Sequence, residues 1–434
     1  MKILGIETSC DETAAAIVCD GAEISSNVVV SQIDIFAEYG GVIPEVAARS
    51  HLEVMMPVID KALADADCTW EDIDAIAVTH APGLLGSLLI GTLTARTLAI
   101  LHNKPLYAVH HLKSHVYANW LHTAESKNTP LRNAPSPPSS RGSVAPRLAR
   151  RQTCSSEEYS LDSSRPSFPL LALVVSGGHT QILYMRGHNQ FEIVGTTVDD
   201  AVGECFDKVA KILGLPYPGG PSIAKAAESG DASRYKLPHP KVKGLDFSFS
   251  GLKTAVLRAV QKVVGVPISY PSHQLKELLS EQQVCDFAAS FQRTAVEILC
   301  EKLKMALMQF PDTKSIVVAG GVSANEAMKE RFEITFSSAG LEFSSTSYTG
   351  TRAEPSLRDE PVRSGRNIRV ENSNQSFTLQ KKQFPNLSLF FPPAQLSGDN
   401  GAMVAAACYY EIQSGVEPTD PYKLNIYPRI SIEE

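Results

Sequence analysis

The stretch Val109-His110-His111-Leu112-Lys113-Ser114-His115 joins a strand-like apolar run, residues 105–109, to a segment through Trp120 that is typical of a helix. His111 and His115 are therefore expected one helical turn apart on the same face. This spacing suits two ligands of one metal ion. It is equally typical of a partly buried helix that carries two histidines for packing.

Two further observations narrow the kind of metal site. A zinc protease helix needs a glutamate directly after its first histidine, and this position is Leu112, which argues against a protease. A third ligand must come from elsewhere in the chain. Asp399, in the turn Ser397-Gly398-Asp399-Asn400-Gly401 before an apolar helix, offers a carboxylate. The sequence thus predicts a site of two imidazoles and one carboxylate.

Size and composition indicate a globular protein of more than one core. The chain has 434 residues, of which 43% are hydrophobic. Its longest apolar candidate, residues 84–101, is interrupted by serine, threonine and arginine, so we expect no membrane span. The first residues enter an apolar strand without a basic leader, which predicts a cytoplasmic protein. The eight cysteines form no C-x-x-C pair and are expected to be reduced thiols.

Charge is distributed unevenly along the chain. Two segments rich in Ser, Pro and Arg, residues 122–167 and 344–386, each carry seven Lys or Arg against four Asp or Glu, which is +3 apiece. Because the formal net charge is −7, removing these +6 leaves −13 for the rest. Such an acidic body repels a polyanion at long range, so a nucleic-acid contact requires local basic patches, these segments or a partner. Both segments lack apolar periodicity and are predicted to be irregular insertions.

The remaining sequence alternates strands and helices, which predicts an α/β protein with sheets covered by helices. Residues 2–7 and 13–19 form one expected hairpin, and residues 169–175 and 180–185 form a second that echoes it. Helical periodicity marks residues 44–64, 85–101, 201–213, 221–228, 252–264, 275–310, 324–336 and 399–413. The segment 275–310 is long enough for two helices.

Two glycine-rich turns follow buried strands and are suited to a phosphate or nucleotide. In Ser176-Gly177-Gly178-His179-Thr180, the glycines let backbone N–H groups approach a ligand, although an ordinary hairpin turn explains them as well. In residues 319–325, two glycines precede a helix start, where free N–H groups favour an anion. Asn325 could bind a ribose or a base edge, or it could merely cap the helix.

Other polar residues are less specific. Tyr217-Pro218-Gly219-Gly220-Pro221 predicts a fixed turn where the backbone approaches a ligand. Asp207 lies on a helix preceded by several carboxylates, an arrangement that is more typical of a solvated helix start than of a site.

These turns, taken in order, resemble the TsaD family of tRNA adenosine threonylcarbamoyltransferases, and more closely its bacterial and organellar branch. The resemblance covers the chain outside the two insertions. It rests on Gly5-Ile6-Glu7-Thr8-Ser9-Cys10-Asp11-Glu12-Thr13, Gly40-Gly41-Val42-Ile43-Pro44-Glu45, His111 with His115, and residues 175–180, 206–208, 217–221, 247–253, 320–325 and 399–403.

The resemblance implies the two-lobed fold shared by actin, hexokinase and the sugar kinases, with a ligand cleft between the lobes. Residues 1–121 together with 399–434 would form the first lobe. Residues 168–398, which include the insertion 344–386, would form the second, and residues 122–167 would be an insertion between them.

The resemblance also implies the site residues. His111, His115 and Asp399 match the family's metal ligands, and Asp11 matches an acidic, catalytic position in the first hairpin turn. The positions that match those holding the adenylate and threonylcarbamoyl groups are Val174, Val175, Ser176, Gly177, Gly178, Asp207, Gly220 and Asn325. This sequence departs from the family's pattern at Lys113-Ser114, Ala224 and Ser397-Gly398.

The implied reaction transfers a threonylcarbamoyl group from threonylcarbamoyl-AMP to the exocyclic amine of the adenosine 3′ of the anticodon in tRNAs reading ANN codons. The implied cofactor is one divalent metal, Fe²⁺ by resemblance, with Zn²⁺ compatible with the same donors. The implied protein partners are a degenerate paralogue of TsaB type and an ATPase of TsaE type, or a second copy of the chain. Two other classes stay open on the residues alone: an ATP-dependent kinase or hydrolase of the same fold, and a non-catalytic scaffold of the modification complex.

Overall fold

The computed structural model describes residues 1–123, 165–337, 342–343 and 387–433. The predicted irregular insertions fall at residues 122–167 and 344–386, so nearly all of the first and the whole of the second lie outside the described residues. Their irregular character stays a prediction.

The first sheet is built from the N-terminal part of the chain. Its strands are β1 (Lys2–Glu7), β2 (Glu12–Cys19), β3 (Glu23–Ser31), β4 (Ala75–Ala81), β5 (Leu106–His110) and β6 (His122–Thr123). They lie in the order β5-β4-β1-β2-β3-β6. β1 and β2 pair antiparallel from Lys2 opposite Cys19, which confirms the first predicted hairpin, and β4 and β5 add in parallel.

The second sheet repeats this plan. Its strands are β7 (Leu170–Val175), β8 (Thr180–Gly187), β9 (Gln190–Thr196), β10 (Ser315–Ala319), β11 (Glu342–Phe343) and β12 (Ser388–Phe390). Their order is β11-β12-β10-β7-β8-β9, with β7 and β8 antiparallel and β10 and β12 parallel additions. The second predicted hairpin and its likeness to the first are thereby confirmed.

The helices largely coincide with the predicted segments. They are α1 (Ile33–Tyr39), α2 (Pro44–Asp65), α3 (Leu85–Leu101), α4 (His111–Tyr117), α5 (Val202–Leu213), α6 (Gly219–Ala227), α7 (Ser250–Val264), α8 (Glu281–Gln309), α9 (Glu326–Ser337), α10 (Ala394–Ser397) and α11 (Gly401–Gln413). The long predicted segment 275–310 begins as a 3-10 turn, and α8 then starts after Ser280, whose hydroxyl caps it. Among the described helices, none combines the length and the apolar character needed to cross a membrane.

Three hydrophobic cores separate the sheets and helices into layers. One core lies between the two sheets and includes α4 and α11. A second core covers the outer face of the first sheet with α2 and α3, and a third covers the outer face of the second sheet with α5, α7 and α8. Both faces of each sheet are therefore buried, which explains why β1 and β7 are continuous apolar runs.

The first sheet draws its strands from residues 2–123 and the second from residues 170–390. The lobe boundaries inferred from the sequence are compatible with this division but stay a prediction. The cysteines at the described positions are all free thiols, as expected.

Candidate metal centre and nucleotide cleft

The three predicted metal ligands meet at one point. α4 begins at His111, directly after β5, and α11 packs beside α4, which brings the turn before α11 to the two histidines. The Oδ1 atom of Asp399 lies 3.1 Å from Nε2 of His115 and 3.6 Å from Nε2 of His111. One ligand atom from each residue lies within 4.8 Å of the others, so the group can hold a metal ion.

The chemistry of these donors fits a bound cation. Both histidines are buried, and neither ring nitrogen of His115 makes a hydrogen bond of proper geometry, although its Nε2 atom is close to Asp399. A buried polar atom without a partner is destabilising by about 1–3 kcal/mol. A cation between the imidazoles and the carboxylate would supply that missing partner.

The local electrostatic field also favours positive charge. Burial alone would lower the pKa of His111, but Asp399 and Glu7 raise it to about 9. Burial likewise opposes ionisation of Asp399, but His111 and His115 hold the pKa of this carboxyl well below its usual range. The field that stabilises a protonated imidazole here would equally stabilise a metal ion.

Behind His111 lies Glu7, a residue that the sequence interpretation did not assign to the site. Glu7 is fully buried at the end of β1, and its Oε2 atom lies 3.2 Å from Nδ1 of His111. The same carboxylate accepts hydrogen bonds from the Thr79 hydroxyl and the Ser9 backbone N–H, both at 2.5 Å. Glu7 thus holds the proton on Nδ1 and leaves Nε2 of His111 free to coordinate. A charged residue that ends an otherwise apolar strand was the signal for it.

The first hairpin turn, residues 8–11, extends from this centre toward the second sheet. Asp11 lies near enough to Asp207 and Tyr217 to contribute to a raised pKa of both groups, after burial. Beside it, burial and the charges of Asp399 and Asp11 raise the pKa of Glu12 well above its usual range. Asp11, in the turn between β1 and β2, therefore lies on the side of the first sheet toward Asp207 of α5, and we call the space between these two elements the cleft.

The predicted nucleotide residues 174–178 lie at the carboxyl end of β7 in the second sheet. Val174 and Val175 end β7, and the turn that follows is closed by the Ser176 hydroxyl, which accepts from His179 N–H at 3.1 Å. At Gly177, Gly178 and Gly220, an added Cβ would meet no atom within 4 Å, and the same holds for Gly321. Packing does not require these glycines, so open space next to bare backbone remains for a ligand.

Asp207 and Asn325 are both engaged by the protein. The Asp207 carboxylate accepts the Gly219 N–H at 2.7 Å at the start of α6, and burial raises its pKa. The Asn325 amide oxygen accepts from Met328 N–H at 3.0 Å, and its nitrogen donates to Gln292 at 2.8 Å. Asn325 caps α9, so the capping interpretation describes its side chain in this structure.

His179 is a second residue that the sequence interpretation did not single out. It follows the glycine turn, and burial together with His111 and His115 lowers its pKa to about 4. A neutral imidazole therefore lies beside the metal centre. By contrast, Asp199, which precedes α5, accepts four hydrogen bonds from Ser248, Phe249 and Ser250 at the start of α7 and is thus engaged by the protein.

Comparisons with known proteins identify the family of this chain. The model of the family described as TsaD, tRNA N6-adenosine threonylcarbamoyltransferase, matches residues 23–134 and 155–354. A protein of that name from Symbiobacterium thermophilum is 40% identical over 415 residues, which cover 95% of this chain and 92% of the relative. Another from Thermomicrobium roseum is 39% identical over 424 residues, or 96% of this chain and 93% of the relative.

The solved structure of HypF from T. kodakarensis shares the fold, with a TM-score of 0.51 at 13% identity, over 96% of this chain and 48% of that one. The fold and the cleft place this molecule in the two-lobed class of actin, hexokinase and the sugar kinases, with a triad able to hold a metal. Within that class, the chain belongs to the TsaD family of tRNA N6-adenosine threonylcarbamoyltransferases.

Proposed function

We propose that this chain carries out its family's reaction with His111, His115 and Asp399 as the metal ligands. It transfers the threonylcarbamoyl group from threonylcarbamoyl-AMP to the exocyclic amine of the adenosine 3′ of the anticodon in tRNAs that read ANN codons. The observation that carries the site assignment is that Asp399, distant in sequence from the two histidines, brings a ligand atom within 4.8 Å of theirs. The site residues named below belong to the same proposal.

The donor set supports one divalent metal, with Fe²⁺ favoured and Zn²⁺ compatible with two imidazoles and a carboxylate. When bound, such an ion polarises a carbonyl oxygen or holds a carboxylate of the substrate. His111 and His115 present their Nε2 atoms to it, and Glu7 fixes the tautomer of His111 through Nδ1.

The transfer forms one bond and breaks another. The adenosine N6 amine attacks the carbamoyl carbon, a C–N bond forms, and the mixed anhydride C–O bond breaks with its electron pair leaving on AMP. The amine then loses a proton. Asp11, which faces the cleft between the two sheets, orients the amine and accepts its hydrogen bond.

The second-sheet side of the cleft is suited to the AMP group. Backbone at Val174, Val175, Ser176, Gly177 and Gly178 would hold the phosphate and carbamoyl oxygens, because no side chain there blocks a ligand at the glycines. Asp207, Gly220 and Asn325 would complete this subsite, with Asn325 contributing through its position at the start of α9.

Protein partners belong to the same proposal: a degenerate paralogue of TsaB type and an ATPase of TsaE type, or a second copy of this chain. An apolar surface on α2 and α3 supports a protein partner. Exposed large side chains there include Leu52, Met56, Leu85, Leu89 and Leu93. An exposed apolar patch of this kind marks an interaction surface. The cytoplasm is the proposed location, since that is where unmodified tRNA is met.

The function is tested by incubating the metal-loaded chain with threonylcarbamoyl-AMP and unmodified tRNA, followed by mass spectrometry of the nucleosides. We expect threonylcarbamoyladenosine from the wild type and none from His111→Ala, while His273→Ala, which changes an exposed histidine outside the site, keeps full activity. Circular dichroism checks that both variants fold. Undiminished product from folded His111→Ala would support the scaffold alternative, and steady ATP hydrolysis without tRNA would support the kinase alternative.

A further inference from the structure

Residues 232–245, here called the basic segment, carry an unusual concentration of positive charge. Arg234, Lys236, Lys241 and Lys243 are all exposed, and the segment contains no aspartate or glutamate. Within the described part of the chain, none of these four cations forms an ion pair. They contrast with a body whose net charge, outside the two Ser/Pro/Arg-rich segments, is −13.

We propose that the basic segment binds the sugar-phosphate backbone of the tRNA outside the cleft. This inference rests on the proposed function, because it concerns the same substrate, but it adds a contact surface that the catalytic chemistry does not require. Four steps lead to it: the segment has a fixed shape, its cations point outward, it leads to the cleft, and its groups suit phosphates better than bases.

The shape of the segment is fixed by inward-facing residues. The Tyr235 ring stacks on Phe287 of α8 with centroids 3.7 Å apart, and its backbone N–H donates to Ser290 at 3.2 Å. Further along, the buried Lys302 ammonium donates to the backbone carbonyls of Val242 at 3.2 Å and Gly244 at 2.6 Å. A lysine that uses its charge to hold a loop in this way makes the loop rigid.

The cations alternate with these anchors. Tyr235 and Leu237 pack toward the third core, whereas Arg234 and Lys236 on either side are exposed. Lys241 and Lys243 follow as a second exposed pair. The anchored segment therefore presents two pairs of cations without the entropy cost of ordering a flexible loop.

Of the nearby acidic residues, Asp231 lies close enough to Arg234 for their charges to interact, and Glu297 and Glu301 of α8 contact other groups. His239, in the middle of the segment, contacts Glu301 at 3.2 Å and Glu297 at 3.6 Å, and these two carboxylates raise its pKa to about 9. Arg331 also contacts Glu297 at 3.4 Å. Glu297 and Glu301 are therefore paired with other groups.

The basic segment runs along α8 and ends at the cleft. From Asp286, which accepts the Asp231 N–H, to Lys302, it follows α8 for 16 residues, or about 24 Å at 1.5 Å per residue. It then returns to Phe247, whose backbone pairs with Thr196 and Thr197 at the cleft end of β9. A tRNA whose target nucleotide enters the cleft can thus lay several phosphates along this segment.

The chemistry favours backbone contact over base reading. Bases stack on aromatic rings, on histidine or on arginine; Tyr235 is already stacked on Phe287, and His239 is paired with Glu297 and Glu301. Lysine and arginine with free charge bind phosphates and give affinity that depends strongly on salt but little on sequence.

The test compares two triple variants of equal charge in the reconstituted reaction. One carries Lys236→Gln, Lys241→Gln and Lys243→Gln. The matched control carries Lys262→Gln, Lys276→Gln and Lys314→Gln, which remove three exposed lysines elsewhere on the same lobe. For each, tRNA affinity is measured across 50–300 mM salt, and kcat and KM are measured with threonylcarbamoyl-AMP.

We expect the slope of log affinity against log salt to fall by about 2 for the basic-segment variant, since each lost phosphate contact removes about 0.7 to 0.9. KM for tRNA should rise about tenfold or more with kcat unchanged, and equally for all tRNA substrates. The control variant should stay near the wild type.

Three results would overturn the inference. They are an unchanged salt slope, an equal loss in the control variant, and a loss of protein partners rather than of tRNA. An inactive wild type would instead overturn the proposed function, so the two failures are distinguishable.

Discussion

Replacing Glu7 by glutamine is expected to weaken divalent metal binding by about 10- to 100-fold while leaving the chain folded. The glutamine oxygen can still accept the Ser9 N–H at the position of Oε1. Its NH₂ group then points to Nδ1 of His111, 3.2 Å away, where the wild type has a carboxylate oxygen. That nitrogen can accept a hydrogen bond only if its proton moves to Nε2, the atom that should bind the metal.

To bind the metal, Glu7→Gln must therefore break the new hydrogen bond from the glutamine NH₂ group to Nδ1 of His111. It also lacks the charge-assisted hydrogen bond that the Glu7 carboxylate accepts from Nδ1 in the wild type. A hydrogen bond to a charged group contributes about 1.5–3 kcal/mol, and each 1.4 kcal/mol corresponds to a factor of ten in affinity. This energy agrees with the 10- to 100-fold loss of metal affinity expected for Glu7→Gln. Because Glu7 touches the imidazole and not the ion, it is a positioning residue whose effect is on affinity.

The measurement is a competition titration of Zn²⁺ or Co²⁺ between the protein and a chromophoric chelator. The matched control is Asp286→Asn, which neutralises another buried carboxylate, one that holds the Asp231 N–H at 2.8 Å far from the histidines. A folded Glu7→Gln protein that binds the metal within about twofold of the wild type would refute the reasoning. An equal loss in Asp286→Asn would do so too.

Three shorter predictions concern stability and assembly. Gly320→Ala should destabilise the fold by about 1–3 kcal/mol in denaturant unfolding, because φ is +89° and the new Cβ would lie 2.4 Å from Val175 O. Gly321→Ala, next to open space, should change the free energy of unfolding little. Equal effects of the two substitutions would contradict this. Two glutamates raise the pKa of His239 in the folded protein to about 9, so its protonated ring stabilises the fold. His239→Gln should therefore lose this stability in full below pH 6.5, and its difference from the wild type should vanish as pH rises through about 9. A difference in stability that does not depend on pH would be inconsistent with this. Leu89→Glu should abolish assembly with the proposed protein partner, measured by light scattering, while thermal stability stays unchanged. An intact complex would rule out the α2 and α3 surface as the site of assembly.

Long periodic elements were predictable from the sequence because their patterns are local. The segment 85–101 is observed as α3 with the same bounds, and both hairpins pair as predicted. α1 (Ile33–Tyr39) escaped prediction because it buries a single residue, Phe36, and so shows no periodic apolar stripe. The irregular residues after α11 are held by backbone hydrogen bonds such as Tyr427 N–H to His80 O, which leave no trace in composition.

The candidate site was predictable where the chemistry lies in the residue types themselves. Two histidines four residues apart and an aspartate between glycines were recognisable as metal donors, and the structure brings them together. Glu7 and His179 were missed because their relevance depends on which distant side chain each one faces. Asn325 illustrates the converse, since an amide at a helix start is equally suited to a cap and to a ligand, and only coordinates reveal which groups it contacts.

The proximity of Asp399 to the histidines depends on two glycines that allow backbone to touch backbone. An added Cβ at Gly5 of β1 would lie 2.2 Å from the carbonyl oxygen of Gly401, and one at Gly401 would lie 2.6 Å from the backbone nitrogen of Ala16. The start of α11 therefore rests directly on the first hairpin. Since Asp399 precedes Gly401 by two residues and His111 follows β5 of the same sheet, this close contact sets the separation of the donors. The geometry of the metal centre is thus fixed by the packing between sheet and helix, and a side chain at either glycine would move the carboxylate away from the imidazoles even though no ligand had been changed.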